Sequence, residues 1–153
     1  LELLNPGASI ADFDFLYPAD TANAYIIPGF KASHVLLGMM RRPFADDRFD
    51  EVSLATRLGF VMAHEAAHST MLTTRSYWRS PALFAGYQQS TMDEAIADLV
   101  AAKAIVHSEL ATAEEVCAHV SQLWCGVSTL LRPSNPSHPL VNERGDLLCS
   151  KIL

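Results

Sequence analysis

Two histidines and a glutamate stand close together in the sequence His64-Glu65-Ala66-Ala67-His68. On an α-helix, residues four apart lie about 40° from each other around the axis and one turn along it, so both imidazoles leave the same face. Such a pair can bind one Zn²⁺ ion at Zn–N distances of about 2.0–2.1 Å. Glu65 lies beside that ion, where a carboxylate can accept a proton from a metal-bound water. The pattern predicts a zinc site with a general base; the alternative is two ordinary histidines of a helix core or surface.

A catalytic zinc site needs a third protein ligand and one open position. Glu94 and Asp98 also stand four residues apart, in a stretch that is otherwise apolar and where an unpaired charge would be costly. We predict that Glu94 is the third ligand and that Asp98 accepts the far N–H of a ligand histidine, which fixes the tautomer of the ring. The alternative is an ordinary capping box over Thr91–Glu94, in which Glu94 faces its own backbone.

The elements that must position these side chains are mostly helical. Apolar residues recur at intervals of three to five around both motifs, which is typical of amphipathic helices. Thr112 and Glu115 have the spacing of a capping box at the start of a further helix. We predict two short strands near the start, at about Ala24–Ile27 and His34–Leu37, and helices at about Val52–Leu72, from Thr91 or Met92 to His107, at Thr112–Leu130 and from Asn142 onward.

The composition indicates one folded domain and excludes several classes of protein. The 153 residues are 50% apolar and 18% charged, which is too apolar for a disordered chain. The formal net charge is −6 and no basic stripe is visible, so we expect no nucleic-acid partner. The longest stretch without a charged side chain, residues 116–131, is too short and too polar to span a membrane.

The cysteines and the remaining histidines give weaker signals. The chain has three cysteines, Cys117, Cys125 and Cys149, and no C-x-x-C pair. The odd number argues against a disulfide framework, and the lack of a C-x-x-C pair argues against a thiolate metal site. We expect free buried thiols, with one disulfide and one remaining thiol as the alternative. Three further histidines have no partner at metal spacing and are expected to be structural or exposed: His34, His107 and His119.

Six short motifs follow one another along the chain: Asn23-Ala24-Tyr25, Arg42-Pro43-Phe44, Gly59–His68, Thr91–Asp98, Leu123–Gly126 and Ser137-His138-Pro139. In this order they resemble the neprilysin family of zinc metallopeptidases, which are gluzincins with a thermolysin-like catalytic core. The resemblance covers about residues 20–148. Many gluzincins share the zinc motifs, whereas the flanking Asn-Ala-Tyr and Trp-Cys-Gly elements point to this family.

The resemblance implies a fold class and a function. The fold would be a thermolysin-like zincin catalytic core, α+β and mostly α, with a small N-terminal β-sheet and an active-site helix. The function would be that of a zinc-dependent metalloendopeptidase with Zn²⁺ as cofactor, peptides as substrates and a glutamate-activated, zinc-bound water. Residues 1–153 would form a single catalytic domain, as a fragment of, or reduced from, a larger ectodomain, in an extracellular or secreted protein.

The resemblance also assigns roles at the zinc site. His64, His68 and Glu94 would bind the metal. Glu65 would be the general base, and Asp98 would orient His64.

Four further residues have implied roles in substrate binding and catalysis. Asn23 and Ala24 would hold the backbone of a peptide that lies along an edge strand. His138 would stabilise the oxyanion of the tetrahedral intermediate, and Arg144 would bind a substrate carbonyl. Without the resemblance, His138 is simply a loop histidine before a proline, and Arg144 is a surface arginine.

Two other functions remain open from the sequence. The stretch between the two zinc motifs is shorter than in the family, which favours a catalytically inactive zinc-fold module that binds peptides or a partner protein. Retention of Glu65 favours the enzyme, because a structural metal site has no use for a base at that position. A metal-free helical interaction domain is the third alternative.

Overall fold

The computed structural model describes residues 17–27, 32–78, 89–125 and 141–153. These residues are mostly helical and contain one two-stranded antiparallel sheet, which confirms the α+β, mostly α, fold class. The elements are β1 (Ala24–Ile27), β2 (Ala32–Val35), a 3₁₀ turn (Leu37–Met39), α1 (Glu51–Leu54), a π turn (Ala55–Gly59), α2 (Phe60–Trp78), α3 (Gln89–His107), α4 (Ala113–Cys125) and α5 (Val141–Ile152).

The sheet pairs β1 with β2 in a register that runs from Ala24 opposite Val35 to Ile27 opposite Ala32. The bounds of β1 are as predicted, whereas β2 begins two residues before the predicted start and ends two residues before the predicted end. Tyr25 lies opposite His34, and their rings stack with centroids 5.1 Å apart. His34 therefore has a structural role in the hairpin, as expected.

One long helical segment runs from α1 through the π turn into α2, and it carries the histidine pair. Asp50 caps its start, because its carboxylate accepts a hydrogen bond from Ser53 N at 2.8 Å. The buried hydroxyl of Thr56 lies 2.6 Å from Val52 O and 2.7 Å from Nδ1 of His119. His119 thus has a structural partner, as expected. The segment continues to Trp78, beyond the predicted end at Leu72.

The core brings α2 and α3 close together through small side chains. Ala67 on α2 and Ala95 and Ala97 on α3 belong to one buried cluster between these helices. Small residues at a helix contact permit a short distance between the axes, so polar side chains on the two helices can meet. A second cluster joins α2, α3, α4 and α5 through Phe60, Ala101, Ala102, Ile105, Val116, Val120 and Leu148.

A disulfide bond joins Cys117 on α4 to Cys149 on α5. The expectation of free thiols is wrong for these two residues, and the alternative of one bridge is correct. The error has a physical cause, since the two residues are 32 positions apart and only the packing of α5 on α4 brings them together. Their Cα atoms are 5.4 Å apart, which is a normal separation for a bridge.

The capping box at the start of α4 is present. Thr112 N donates to Glu115 Oε2 at 2.8 Å, and Glu115 N donates to Thr112 Oγ1 at 3.2 Å. The predicted continuation of this helix over 126–130 lies outside the described residues. None of the described helices is both long and apolar enough to cross a lipid bilayer.

Candidate metal centre

His64 and His68 on α2 meet Glu94 on α3, and one ligand atom from each lies within 4.8 Å of the others. The two Nε2 atoms are 3.0 Å apart. Oε2 of Glu94 lies 3.2 Å from Nε2 of His64, and Oε1 lies 3.4 Å from Nε2 of His68. The structure thus brings together the three residues that were predicted as metal ligands.

The separations within this group are close to those around a tetrahedral metal ion. Ligand atoms at about 2.0–2.1 Å from such an ion are about 3.3–3.4 Å from each other. The two Nε2 atoms, 3.0 Å apart, are slightly closer than that, and each lies 3.2 or 3.4 Å from a different oxygen of the Glu94 carboxylate. Two imidazole nitrogens and one carboxylate oxygen form a donor set that divalent transition metals accept, so the group could hold a metal ion.

Glu94 does not fit the alternative role of a helix cap. Helix α3 begins at Gln89, so Glu94 lies more than a turn inside it and Thr91 does not precede the first turn. The carboxylate of Glu94 is 16% exposed and lies against both imidazoles of α2. Helix α3 begins two residues before Thr91, the earlier of the two predicted starts. Thr91 therefore lies inside the helix and not at its N-cap position.

Asp98 lies one turn after Glu94 and accepts a hydrogen bond from His64. Its Oδ1 atom is 2.8 Å from Nδ1 of His64. The contact that we predicted from the spacing of the two carboxylates is therefore present. With Nδ1 as the donor, the lone pair of the neutral ring is on Nε2, which is the atom that faces His68 and Glu94.

Arg144 is buried against Asp98, with a side chain that is 6% exposed. Its Nε atom donates to Oδ2 of Asp98 at 2.7 Å, and its terminal NH2 group donates to Oδ1 at 2.6 Å. The expectation of a surface arginine is wrong, while contact with a substrate carbonyl stays a prediction. The apolar context of Asp98 in the sequence indicated that this carboxylate needs a partner, but it did not identify Arg144 as that partner.

The electrostatic interactions within the group shift several pKa values in the metal-free protein. Burial acts to lower the pKa of His64, but the carboxylates of Asp98 and Glu94 outweigh it and raise this pKa to about 9. Burial acts to raise the pKa of Glu94, but His64 and His68 hold it well below its usual value. The pKa of Asp98 is also lowered, against its burial, by Arg144 and His64. The site therefore stabilises positive charge, and a metal ion must compete with a proton there.

Glu65 is buried at 9% exposure and is not part of the ligand group. It follows His64 on α2, about 100° further around the helix axis. Burial raises its pKa above the usual value for a glutamate, although His64 and His68 act in the opposite direction. A carboxylate with a raised pKa is a better proton acceptor near neutral pH, which suits the predicted role of general base.

Two of the predicted substrate residues, Asn23 and Ala24, lie at the start of the sheet. Ala24 is the first residue of β1, and the carbonyl of Asn23 accepts a hydrogen bond from Leu36 N at 3.1 Å. Strand β1 packs against α2, the helix that carries the histidine pair. His138 lies outside the described residues, and the roles of all three residues stay predictions.

The chain matches no known family profile, no curated protein and no solved structure. The resemblance to the neprilysin family therefore rests on the short motifs in the sequence. The geometry of His64, His68 and Glu94 supplies the independent support for a metal centre.

Proposed function

We propose that this protein is a zinc-dependent metalloendopeptidase that hydrolyses internal bonds of peptides. The observation that carries this proposal is the convergence of two imidazoles from α2 and one carboxylate from α3. Two histidines and a glutamate form a known ligand set of catalytic zinc sites, whereas structural zinc sites have four protein ligands. Among the described residues the group has three ligands, which supports a site with a position for water or substrate.

The charges around the centre support catalysis. A bound zinc ion supplies a Lewis acid that polarises the scissile carbonyl and lowers the pKa of a water molecule. Glu94 contributes the one negative charge of the ligand set, because the two imidazoles are neutral when they bind a metal. A divalent ion with these three ligands would therefore keep a net positive charge. Arg144 neutralises Asp98 through two hydrogen bonds. Asp98 can therefore hold His64 without adding a second full negative charge beside the ligands.

Glu65 has the properties that the proton transfers require. Its carboxylate accepts a proton from the attacking water and then donates it to the amine of the leaving group. Its burial and its place directly after His64 support this role. The amide of Glu65→Gln would keep the shape of the side chain but could not accept the proton.

We propose that the peptide substrate lies along β1. Within the described part of the chain, β1 pairs with β2 alone, which leaves its other edge for an added strand. Asn23 and Ala24 would bind the substrate backbone, His138 would stabilise the oxyanion, and Arg144 would contact a substrate carbonyl. These four roles derive from the resemblance to the neprilysin family.

Metal analysis combined with a quenched fluorescent peptide library tests the proposal. We expect about one zinc per chain, cleavage of peptides within their sequence, and loss of cleavage when a chelator removes the metal. A zinc-loaded protein that cleaves no peptide would contradict the peptidase proposal. If it nevertheless bound peptides, it would support the alternative of a non-catalytic zinc-fold binding module.

We also propose an extracellular or secreted location. The disulfide between Cys117 and Cys149 is compatible with this location, because disulfides persist in oxidising compartments. The resemblance to a family of ectodomain peptidases supports the same location.

A further inference from the structure

Helix α5 reaches Asp98, the hydrogen-bond partner of the ligand His64, through Arg144. A disulfide bond joins the same helix to α4. We propose that Arg144 is a positioning residue for the metal ligand His64, and that the Cys117–Cys149 disulfide keeps Arg144 in place by holding α5 against α4. This inference rests on the metal site of the proposed function and does not depend on peptide hydrolysis.

The first step is the contact between Arg144 and Asp98. The guanidinium group binds both oxygens of the carboxylate, at 2.6 and 2.7 Å. Such a two-point contact fixes the rotation of a carboxylate, which a single hydrogen bond cannot do. The Oδ1 atom held by Arg144 is the same atom that accepts the hydrogen bond from His64. Arg144 therefore determines the orientation of the group that orients the ligand.

The second step is the position of α5 between two neighbours. Helix α5 packs against both α3 and α4. Arg144 and Cys149 are five residues apart, which places them about 140° from each other around the helix axis. Arg144 accordingly reaches Asp98 on α3, while Cys149 reaches Cys117 on α4. The disulfide and the ion pair hold two different faces of one helix.

The third step is the dependence of α5 on these contacts. It has 12 residues, a length at which an isolated helix is only marginally stable in water. Gly145 in its interior lowers helix stability further, but a Cβ atom at this position would lie 3.3 Å from Oγ of Ser121 on α4. The glycine thus permits close packing at the cost of helix propensity. The disulfide compensates by fixing α5 covalently at this contact.

Substitution of Arg144 tests the positioning role, with the affinity for zinc as the readout. Arg144→Met removes all donors and Arg144→Lys keeps the charge but loses the two-point contact. Lys151→Met is the matched control, because it removes an exposed cation from the same helix. Affinity would be measured by competition with a chromogenic chelator, and the absorption spectrum of the cobalt-substituted protein would report the ligand geometry.

We expect Arg144→Met to weaken zinc binding about 10- to 100-fold and to alter the cobalt spectrum. Arg144→Lys should lie between Arg144→Met and the wild type, and Lys151→Met should bind like the wild type. Wild-type affinity in a folded Arg144→Met variant would overturn the inference. If Arg144→Met does not fold, Arg144→Lys decides: a weaker affinity supports the inference and an unchanged affinity overturns it.

A double-mutant cycle tests the role of the disulfide. The pair Cys117→Ser and Cys149→Ser should weaken zinc binding when Arg144 is present and should have little further effect in the Arg144→Met background. If the two serine substitutions weaken zinc binding by the same factor in both backgrounds, the bridge does not act through Arg144. That result would overturn the proposed role of the disulfide. A wild-type protein that binds zinc but cleaves no peptide would reject the peptidase proposal alone, because the readout here is metal affinity.

Discussion

Oδ1 of Asp98 accepts hydrogen bonds from two sides, from Nδ1 of His64 at 2.8 Å and from Arg144 at 2.6 Å. The three residues belong to α2, α3 and α5, so one buried carboxylate joins three helices. On the far side of the imidazole ring, Nε2 of His64 faces Glu94 at 3.2 Å. The orientation of a metal-binding nitrogen therefore depends on packing between helices that are distant in the sequence.

Glu65→Gln should keep zinc at the wild-type level and reduce peptide cleavage about 100- to 10,000-fold, because the amide cannot accept a proton. Turnover of a fluorescent peptide and metal content per chain would be measured on the same preparation. Glu51→Gln, at an exposed position at the start of the same helical segment, is the control and should keep full activity. Wild-type cleavage by Glu65→Gln would reject Glu65 as the base.

Zinc affinity should increase with pH between about 7 and 9. The pKa of His64 is raised to about 9 in the metal-free protein, so below that pH the metal must displace a proton from this ring. One displaced proton corresponds to an affinity gain of about tenfold per pH unit. Calorimetry in buffers of different ionisation enthalpy would count the released protons. An affinity that is constant from pH 7 to 9 would contradict the raised pKa.

The metal-free protein should lose stability as the pH rises above about 6.5. A raised pKa means that the protonated form of His64 stabilises the folded state, and this contribution is fully present below 6.5 and lost as the pH passes 9. Urea denaturation of the chelated protein at pH 6.5 and pH 9.5 would measure the change. His64→Gln should lack this component, and His107→Gln, which replaces an exposed histidine, should retain it. An identical pH dependence in His64→Gln and the wild type would be inconsistent with this origin.

The sequence predicted those features of the site that depend on side chains one helix turn apart. A spacing of four residues places two side chains on one helix face, whatever the rest of the fold is. Two pairs have this spacing: His64 with His68, and Glu94 with Asp98. The apolar context of Asp98 indicated that it needs a partner. These local rules identified the two pairs, and the need of a catalytic zinc site for a third protein ligand predicted that the pairs meet.

Removal of the disulfide should destabilise the fold. Replacing Cys117 and Cys149 by serine should lower the free energy of unfolding by about 3–4 kcal/mol, since the bridge closes a loop of 32 residues. Guanidinium denaturation would measure the difference, with Cys125→Ser as the control for a cysteine replacement outside the bridge. A decrease of less than about 1 kcal/mol in the free energy of unfolding would show that the bridge does not constrain the unfolded chain as expected.

The parts that could not be predicted depend on contacts between distant segments. Asp98 and Arg144 are 46 positions apart, and no local pattern relates them. The same is true of the bridge between Cys117 and Cys149, which forms because α5 packs on α4. The start of β2 was also misplaced, because the pairing with β1 determines its register and the composition of a short apolar stretch does not.

X-ray absorption spectroscopy of the zinc-loaded protein tests the central claim most directly, with Glu94→Gln and Glu114→Gln measured in parallel. Glu114 is an exposed glutamate on α4, so its variant is the control. We predict about one zinc per chain, with two imidazole nitrogens at about 2.0–2.1 Å and a carboxylate oxygen in its first coordination sphere, and weaker binding in Glu94→Gln alone. A spectrum with fewer than two imidazoles, or the same zinc content and spectrum in Glu94→Gln as in the wild type, would contradict the proposed metal centre.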